Sequence, residues 1–592
     1  MIARQFCLAI MLFVQQELAA NACLALWNAC PAIIAFCFCW LNIIFVVQFK
    51  SMRQLYPLLL LLCVLAGCTS VAKFNKHRSA PISVKKLHKD IDFVQHKLKQ
   101  KHPNYDLYTN KAQFEHKFDS IRQVVNHPMT ANEFFLVISP VVAAVRQGHM
   151  TMLPLAERYT KTQQKAMKAA GKGPVSQFDY FWENQKLYVL NNHSDHKEIA
   201  RGAEVMSIKG LVPKAVFDKY KHTFTSDGYN QTFLRKIFAR RFPVYLVEEI
   251  GVNDSLSFVF KQNDSVLTKV IRRQKEEIKP EAGKEKKSDP KIVKAPAVAI
   301  IKDSVKADTT KTLVQTKEQK QQEEKNKSIY GYDKTTKKYT RSLKFMGKDS
   351  SVAVLTIRQF MTGQFRKAYA NIFDSIEKQG SKTLILDIRD NPGGSAKEIV
   401  KLYAYFADTA YTFYKPTEVV SKTSMFRAGL FQRVPKFAYP FLGLYYPFYV
   451  GDRFFGTKKK AGHYYYYNLY GTQEKAANEK RFKGKVYVLI NGGCFSAACL
   501  LSSELKAISD ITFVGEETGG DFNGTVAGVM PLFKLPHSRL PWRLGLMHIQ
   551  PKNQTSKDGR GIFPDKEIIQ TYEDKKNDKD PEMDWVMKQI EP

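Results

Sequence analysis

Cysteine is almost absent from the body of this 592-residue chain. Seven of its nine cysteines lie at positions 7, 23, 30, 37, 39, 63 and 68, leaving only Cys494 and Cys499 for everything that follows. Two internal thiols make no disulfide framework, and their spacing makes no zinc pattern. Acidic residues are outnumbered: 56 Asp and Glu stand against 90 Lys and Arg, a formal net charge of +34. Such an excess raises the question of nucleic acid. The lysines are scattered, however, many fall in one low-complexity stretch, and no RNA- or DNA-binding motif occurs, so no nucleic-acid partner is expected. A solvated surface near anionic envelope polymers accounts for the charge equally well. Aromatic residues vanish between Lys261 and Ile329, where Lys, Glu, Gln, Asp, Thr and Pro dominate. That composition buries too little apolar surface to offset chain ordering. Residues 274–329 therefore read as a disordered charged linker, with a charged, interrupted helix as the competing picture. Elsewhere the composition is globular, and the length asks for two to four domains.

The chain opens on an apolar, cysteine-rich stretch resembling a membrane span, and a second start follows at Met52-Arg53-Gln54. A basic end, the apolar run Leu58–Val64 and Leu65-Ala66-Gly67-Cys68 then make a signal peptide whose last four residues resemble the bacterial lipobox. Residues 1–51 read as an over-extended N-terminus and 52–68 as a lipoprotein signal peptide. The resemblance implies cleavage before Cys68 and lipid on its sulfur, which would anchor the protein to a membrane. A plain transmembrane anchor and a cleaved soluble protein are the alternatives. The compartment expected is the cell envelope outside the cytoplasm. Thr69 is not an inner-membrane retention aspartate, which points to the outer membrane or a periplasm-facing site.

Residues 69–160 read as a helical segment. Val84, Leu87, Ile91, Val94 and Leu98 share one helix face behind Ser83. Thr130 with Glu133 forms a capping box before an apolar helix that runs to Val145 and contains Pro140. That helix breaks at Gly148, leaving His149 just beyond its end. Residues 176–273 read as a β-rich module, with strands at Leu187–Leu190, Glu204–Ile208, Ser255–Phe260 and Val266–Ile271. Its stretch Ile199–Gly210 resembles the core of a PDZ domain, a fold that binds chain termini by adding them as an edge strand.

From Tyr330 onward, strands alternate with helices: Val352–Ile357, Phe365–Lys378, Thr383–Ile388, Ala396–Phe406, Val486–Ile490, Ala497–Ile508 and Ile511–Val514. This order argues an α/β core on a mostly parallel sheet. Asp387–Gly394 ends one strand in Gly393-Gly394, a turn able to aim backbone N–H groups at a ligand. Tyr411–Arg481 is rich in Tyr, Phe and Lys and shows no periodicity; a groove cover and plain surface packing both fit it. Val486–Cys499 is the stretch on which the chain turns. An apolar strand ends in Gly492-Gly493, and Ser496 opens a helix whose N-terminus offers free N–H groups. Ser496 is read either as the helix cap or as a nucleophile held at a sharp turn.

Four pieces in this order, Gly148-His149, Asp387–Gly394, Asn491–Ala498 with Gly515–Gly520, and Gly561–Asp565, resemble the S41 peptidases, which include C-terminal processing and tricorn-like proteases. The resemblance spans nearly all of the mature chain. It implies an α/β crotonase (ClpP)-like peptidase core over 330–592, a PDZ-like module and serine-peptidase activity with neither cofactor nor metal. The processing branch pairs its serine with a lysine, and Asp521 stands at the matching position. The lysine dyad is thus unsupported, and the histidine branch implies His149 as base. Its acid matches Asp558, with Glu516 and Glu517 as alternatives. Ser496 would attack the peptide carbonyl, and the oxyanion would be held by the N–H of Ala497 and one from Gly393 or Gly394. The expected function is therefore a membrane-anchored serine peptidase acting on extracytoplasmic proteins or peptides. The alternative is an inactive lipoprotein that binds peptides or envelope polymers. A crotonase-type acyl-CoA enzyme shares the core by analogy only and is disfavoured by export.

Overall fold

A computed structural model describes residues 70–275, 317–426, 430, 435, 438–557 and 559–590. The described residues from Asn75 onward belong to one compact unit. Its first part is helical. Helix α1 (Val84–Lys101) buries Leu87, Ile91, Val94 and Leu98, the face that the heptad-like spacing selects. Asp90 on the same face is also buried and accepts the N–H groups of His537 and Ser538. Helix α2 (Lys111–Val124) starts at an Asn110 cap. Helix α3 (Ala131–Ala143) starts at Thr130 with both halves of the capping box made, and it buries Phe134, Phe135, Ile138, Val141 and Val142.

The next module is a five-stranded antiparallel meander: β1 (Phe178–Glu183), β2 (Lys186–Asn192), β3 (Glu204–Ile208), β4 (Ser255–Gln262) and β5 (Ser265–Arg272). Helices α4 (Pro213–Tyr220) and α5 (Thr232–Ile250) are inserted between β3 and β4. Phe238 and Phe242 of α5 pack edge-on against Trp182 and Tyr180 of β1, closing an aromatic core.

Beyond the linker, Lys317–Tyr330 forms helix α6. The disordered reading of 274–329 is therefore corrected over this span; residues 276–316 lie outside the described residues. Helix α6 carries almost no apolar residues, so its order comes from its end. Ile329 and Tyr330 are buried, and the Tyr330 carbonyl accepts both Thr340 Oγ1 and Arg341.

The core sheet has six strands: β6 (Arg341–Met346), β7 (Val352–Ile357), β8 (Thr383–Asp387), β9 (Lys485–Ile490), β10 (Ile511–Gly515) and β11 (Lys566–Glu567), in the spatial order β11-β10-β9-β8-β7-β6. All neighbours run parallel except the β6–β7 hairpin. Every residue of β8, and all of β9 but its first, is buried, which is why these strands read as unbroken apolar runs. Helices α7 (Phe365–Gln379) and α8 (Ala396–Tyr403) belong to the crossovers. A second, antiparallel sheet brings together Thr457–Lys460, His463–Tyr466, Thr417–Val419, Met547–Ile549 and Thr525–Ala527. Three of its strands, and helix α9 (Tyr439–Phe455), come from the segment 411–481 that showed no periodicity.

Candidate active site

Strand β9 delivers the chain into Asn491–Ser496, and helix α10 (Ala497–Leu505) leaves it. The helix is shorter than the pattern to Ile508 suggested. Ser496 occupies its N-cap position, yet its side chain makes no capping bond. Its backbone instead has φ 55° and ψ −120°, a conformation that costs a non-glycine residue on the order of 1–3 kcal/mol. The neighbouring Gly492 and Gly493 do not take a positive φ. They are needed for close approach: a Cβ on Gly493 would lie 2.3 Å from Asp390 Oδ1, and one on Gly492 would lie 2.6 Å from Thr232 Cβ.

Two asparagines brace this turn against the loop after β8. Asn491 Oδ1 accepts the N–H groups of Gly493 and Asp390, each at 2.9 Å. The Asn391 carbonyl accepts the Phe495 N–H at 3.0 Å, and its side chain bridges the Gly393 N–H and the Ile357 carbonyl. Gly393, at φ 92°, approaches so closely that a Cβ there would sit 2.7 Å from Ala497 N. Asn391 thus occupies the Gly393 N–H. Among the described residues, the N–H groups of Gly394 and Ala497 donate no hydrogen bond.

His149 arrives from the turn after α3. Arg146 takes a positive φ and its carbonyl accepts the Gly228 N–H. Asp227 Oδ1 accepts the Gly148 N–H at 2.7 Å, while Thr225 Oγ1 donates to the Gly148 carbonyl at 3.0 Å. Gln147 Oε1 accepts the Val526 N–H from the second sheet. The turn is therefore fixed from several sides, and His149 Nε2 lies 2.8 Å from Ser496 Oγ. Phe495 packs against the imidazole at 5.0 Å between centroids and stacks on Phe233 at 4.4 Å. The ring is half-buried by its own surface but enclosed by protein. Loss of hydration, reinforced by the Arg543 charge, lowers its pKa to about 4. It is neutral near pH 7 and able to accept a proton.

Asp558 and Cys68 lie outside the described residues. The alternative acids are engaged elsewhere. Glu516 pairs with Arg235 and accepts the Gly492 N–H, whereas Glu517 forks onto Arg560 and accepts the Gly561 N–H. Asp521 is buried and accepts the Tyr108 hydroxyl at 2.6 Å; burial raises its pKa to about 6. Cys494 donates to the Ile388 carbonyl, and burial pushes its thiol up to about 12, so it is no nucleophile. Asp565 of the last motif accepts the Phe513 N–H, fastening that motif to β10. Among the described residues, no group of His, Cys, Asp or Glu is arranged to hold a metal ion. The bracing roles of Asp227, Asn391 and Asn491 are not legible in the sequence. Asn-Gly and Asp-Gly steps in their neighbourhood signal turns, but not which distant amide a side chain will reach.

Residues 351–568 match the family model described as Peptidase family S41. No curated protein is matched by the sequence. Among solved structures, mature CPAF matches at 14% identity and TM-score 0.50, covering 83% of this chain and 94% of that one. Mature CPAF complexed with lactacystin matches at 13% and TM-score 0.52, covering 85% and 97%. The photosystem II D1 C-terminal processing protease matches at 12% and TM-score 0.36, covering 82% and 93%. At these identities the CPAF likeness establishes a shared fold. The matched span includes Ser496 and the Gly393–Gly394 loop, and this similarity to Peptidase family S41 identifies a serine-type peptidase.

Proposed function

We propose that Ser496 is the nucleophile and His149 the general base of an acyl-enzyme peptidase. It would cleave extracytoplasmic proteins or peptides while anchored to the envelope membrane by lipid on Cys68. The observation that carries the catalytic part is the 2.8 Å approach of His149 Nε2 to Ser496 Oγ, on a serine strained away from its capping role. Ser496 Oγ bonds to the peptide carbonyl carbon as His149 Nε2 takes the hydroxyl proton. The resulting oxyanion lies between the N–H groups of Ala497 and Gly394, since Asn391 already holds Gly393. Collapse expels the amine, which takes its proton from His149. Water, deprotonated by the same ring, then releases the acyl group and restores the serine. Each oxyanion donor contributes roughly a hundred- to a thousandfold in rate. Asp558 remains the acid proposed to orient the ring, on its chain position before Gly561.

The antiparallel meander supports reading 176–273 as a PDZ-like module. A cavity of about 500 Å³ runs beside its edge strand β1 and helix α5, lined by Phe178, Tyr180, Arg235 and Arg240. It reaches Asp390 and Glu516 of the active-site loops, so an extended peptide added to β1 would lead toward Ser496. A fluorophosphonate probe tests the catalytic reading. Labelling of the folded wild type is expected, abolished by Ser496→Ala and strongly reduced by His149→Ala with unchanged circular dichroism. A folded wild type that never labels would leave the inactive peptide-binding lipoprotein as the better reading.

A further inference from the structure

Helix α9 carries its apolar surface on the outside. Phe441, Leu444, Phe448 and Phe455 are 72, 72, 75 and 78% exposed, and Tyr445 is exposed between them. Their spacing of three, four and seven residues puts them on one side of the helix. The opposite side holds α9 to the body. The Tyr446 and Tyr449 hydroxyls donate to the carbonyls of Phe426 and Met425, and Arg453 lies over the rings of Tyr449 and Tyr466. Single exposed apolar residues are ordinary on a protein surface; a contiguous row of large ones marks a surface that meets something apolar.

The residues next to the row identify that partner. Strand Thr457–Lys460 follows α9 directly, and its Lys458, Lys459 and Lys460 are exposed. None of the three makes an ion pair among the described residues. Lys458 and Lys459 lie over the rings of Tyr467 and Tyr464, which keeps their charged ends beside aromatic surface. An aromatic and aliphatic helix face beside a cluster of cations, on a chain of net charge +34, complements an anionic lipid surface. A span is excluded by geometry. Seventeen residues reach about 26 Å, short of a hydrocarbon core of roughly 30 Å, and Pro447 lies inside the helix. Among the described residues, no helix is long and apolar enough to cross a membrane.

We propose that α9 lies flat in the interface of an anionic phospholipid bilayer, with Phe441, Leu444, Tyr445, Phe448 and Phe455 among the acyl chains and Lys458–Lys460 against the headgroups. This is independent of acylation at Cys68. It adds a second attachment within the peptidase core, able to set the orientation of the enzyme on the membrane as well as its residence there.

The test uses the full chain reconstituted in vesicles, with the probe on α9 so that the N-terminal region cannot supply the signal. F448W adds one indole to the five native ones. Its added emission, taken against wild type, is followed with bromine-labelled acyl chains and with aqueous iodide. In vesicles of phosphatidylglycerol and phosphatidylethanolamine, bromolipid is expected to quench the added emission at least about twofold, with protection from iodide. Phosphatidylcholine vesicles, or Lys458→Glu/Lys459→Glu/Lys460→Glu in the anionic ones, should abolish most of that quenching. Equal quenching in both lipids would overturn the anionic assignment. Emission open to iodide but blind to bromolipid would overturn membrane docking. Emission shielded from both would also overturn it and assign α9 to a protein contact. Thermal midpoints of the variants within the wild-type range exclude misfolding as the source of any loss.

Discussion

Gly148→Ala tests whether His149, the proposed base, and Ser496, the proposed nucleophile, are held in register by packing. Gly148 has no positive φ, so alanine is permitted there by backbone conformation; only space opposes it. The added Cβ would lie 2.4 Å from Phe495 Cζ and 2.8 Å from its Cε2, about 1 Å inside ordinary contact. Phe495 has nowhere simple to go, since its ring is buried and stacked on Phe233 on one side and packed against His149 on the other. Either the ring pushes the imidazole aside or the 146–149 turn retreats, and both lengthen the 2.8 Å approach to Ser496 by a comparable distance. A misplacement of about 1 Å costs roughly a hundredfold in rate, or about 2.7 kcal/mol of transition-state stabilisation. The overpacking itself costs about 1–3 kcal/mol of stability, which a fold of this size survives. The assay is the second-order rate of fluorophosphonate labelling, with casein hydrolysis and the thermal midpoint measured in parallel. Trimming the obstacle should help, so Gly148→Ala/Phe495→Leu is expected to recover about tenfold. A single variant within about threefold of wild type, or a double variant no faster than the single, would refute the packing argument.

Three further outcomes follow from the buried titratable groups. The labelling rate should hold as pH falls and decline only near pH 4, because burial depresses the His149 pKa to about 4 from 6.5; an acid limb near 6.5 would contradict this. The same depression makes the unfolded chain take up a proton first, so the stability His149 contributes is present above pH 6.5 and lost as pH falls toward 4. Arg341→Met should lower the thermal midpoint strongly. Arg341 and Glu398 are wholly buried and paired, with Tyr369 donating to the same carboxylate, and breaking such a pair costs about 3–5 kcal/mol. A midpoint near that of wild type would show the pair to be dispensable.

The strands of the core were legible because a parallel sheet buried on both faces demands unbroken apolar runs, as in Thr383–Ile388 and Val486–Ile490. The α3 terminus was legible from chemistry, since Thr130 and Glu133 form a local motif complete within four residues. Helices α6 and α9 escaped for opposite reasons. Lys317–Tyr330 has no apolar period and is ordered through its last two residues. Tyr439–Phe455 has aromatics on every side, and Gly443, Pro447 and Gly451 interrupt its pattern. At the site, Ser496 and His149 came from the order of motifs, not from periodicity. The positive φ falls on Ser496 and not on Gly492 or Gly493, and the sequence does not separate the two cases because positive φ and close approach leave the same glycine signature. Asp227, Asn391 and Asn491 act through amides in other segments, and no local pattern encodes those partners.

The His149–Ser496 contact joins residues 347 positions apart, supplied by a helical segment and by an α/β sheet with an entire module between them. Contacts that close such large loops form only when the intervening pieces have found their arrangement. The serine turn can be complete, strained and braced while the histidine is still elsewhere. Under the proposed roles of Ser496 and His149, a chain in which the two have not yet met lacks the activated hydroxyl, so reactivity begins only once the helical segment and the sheet have docked. Rate of labelling during refolding, followed beside circular dichroism, would read that event directly.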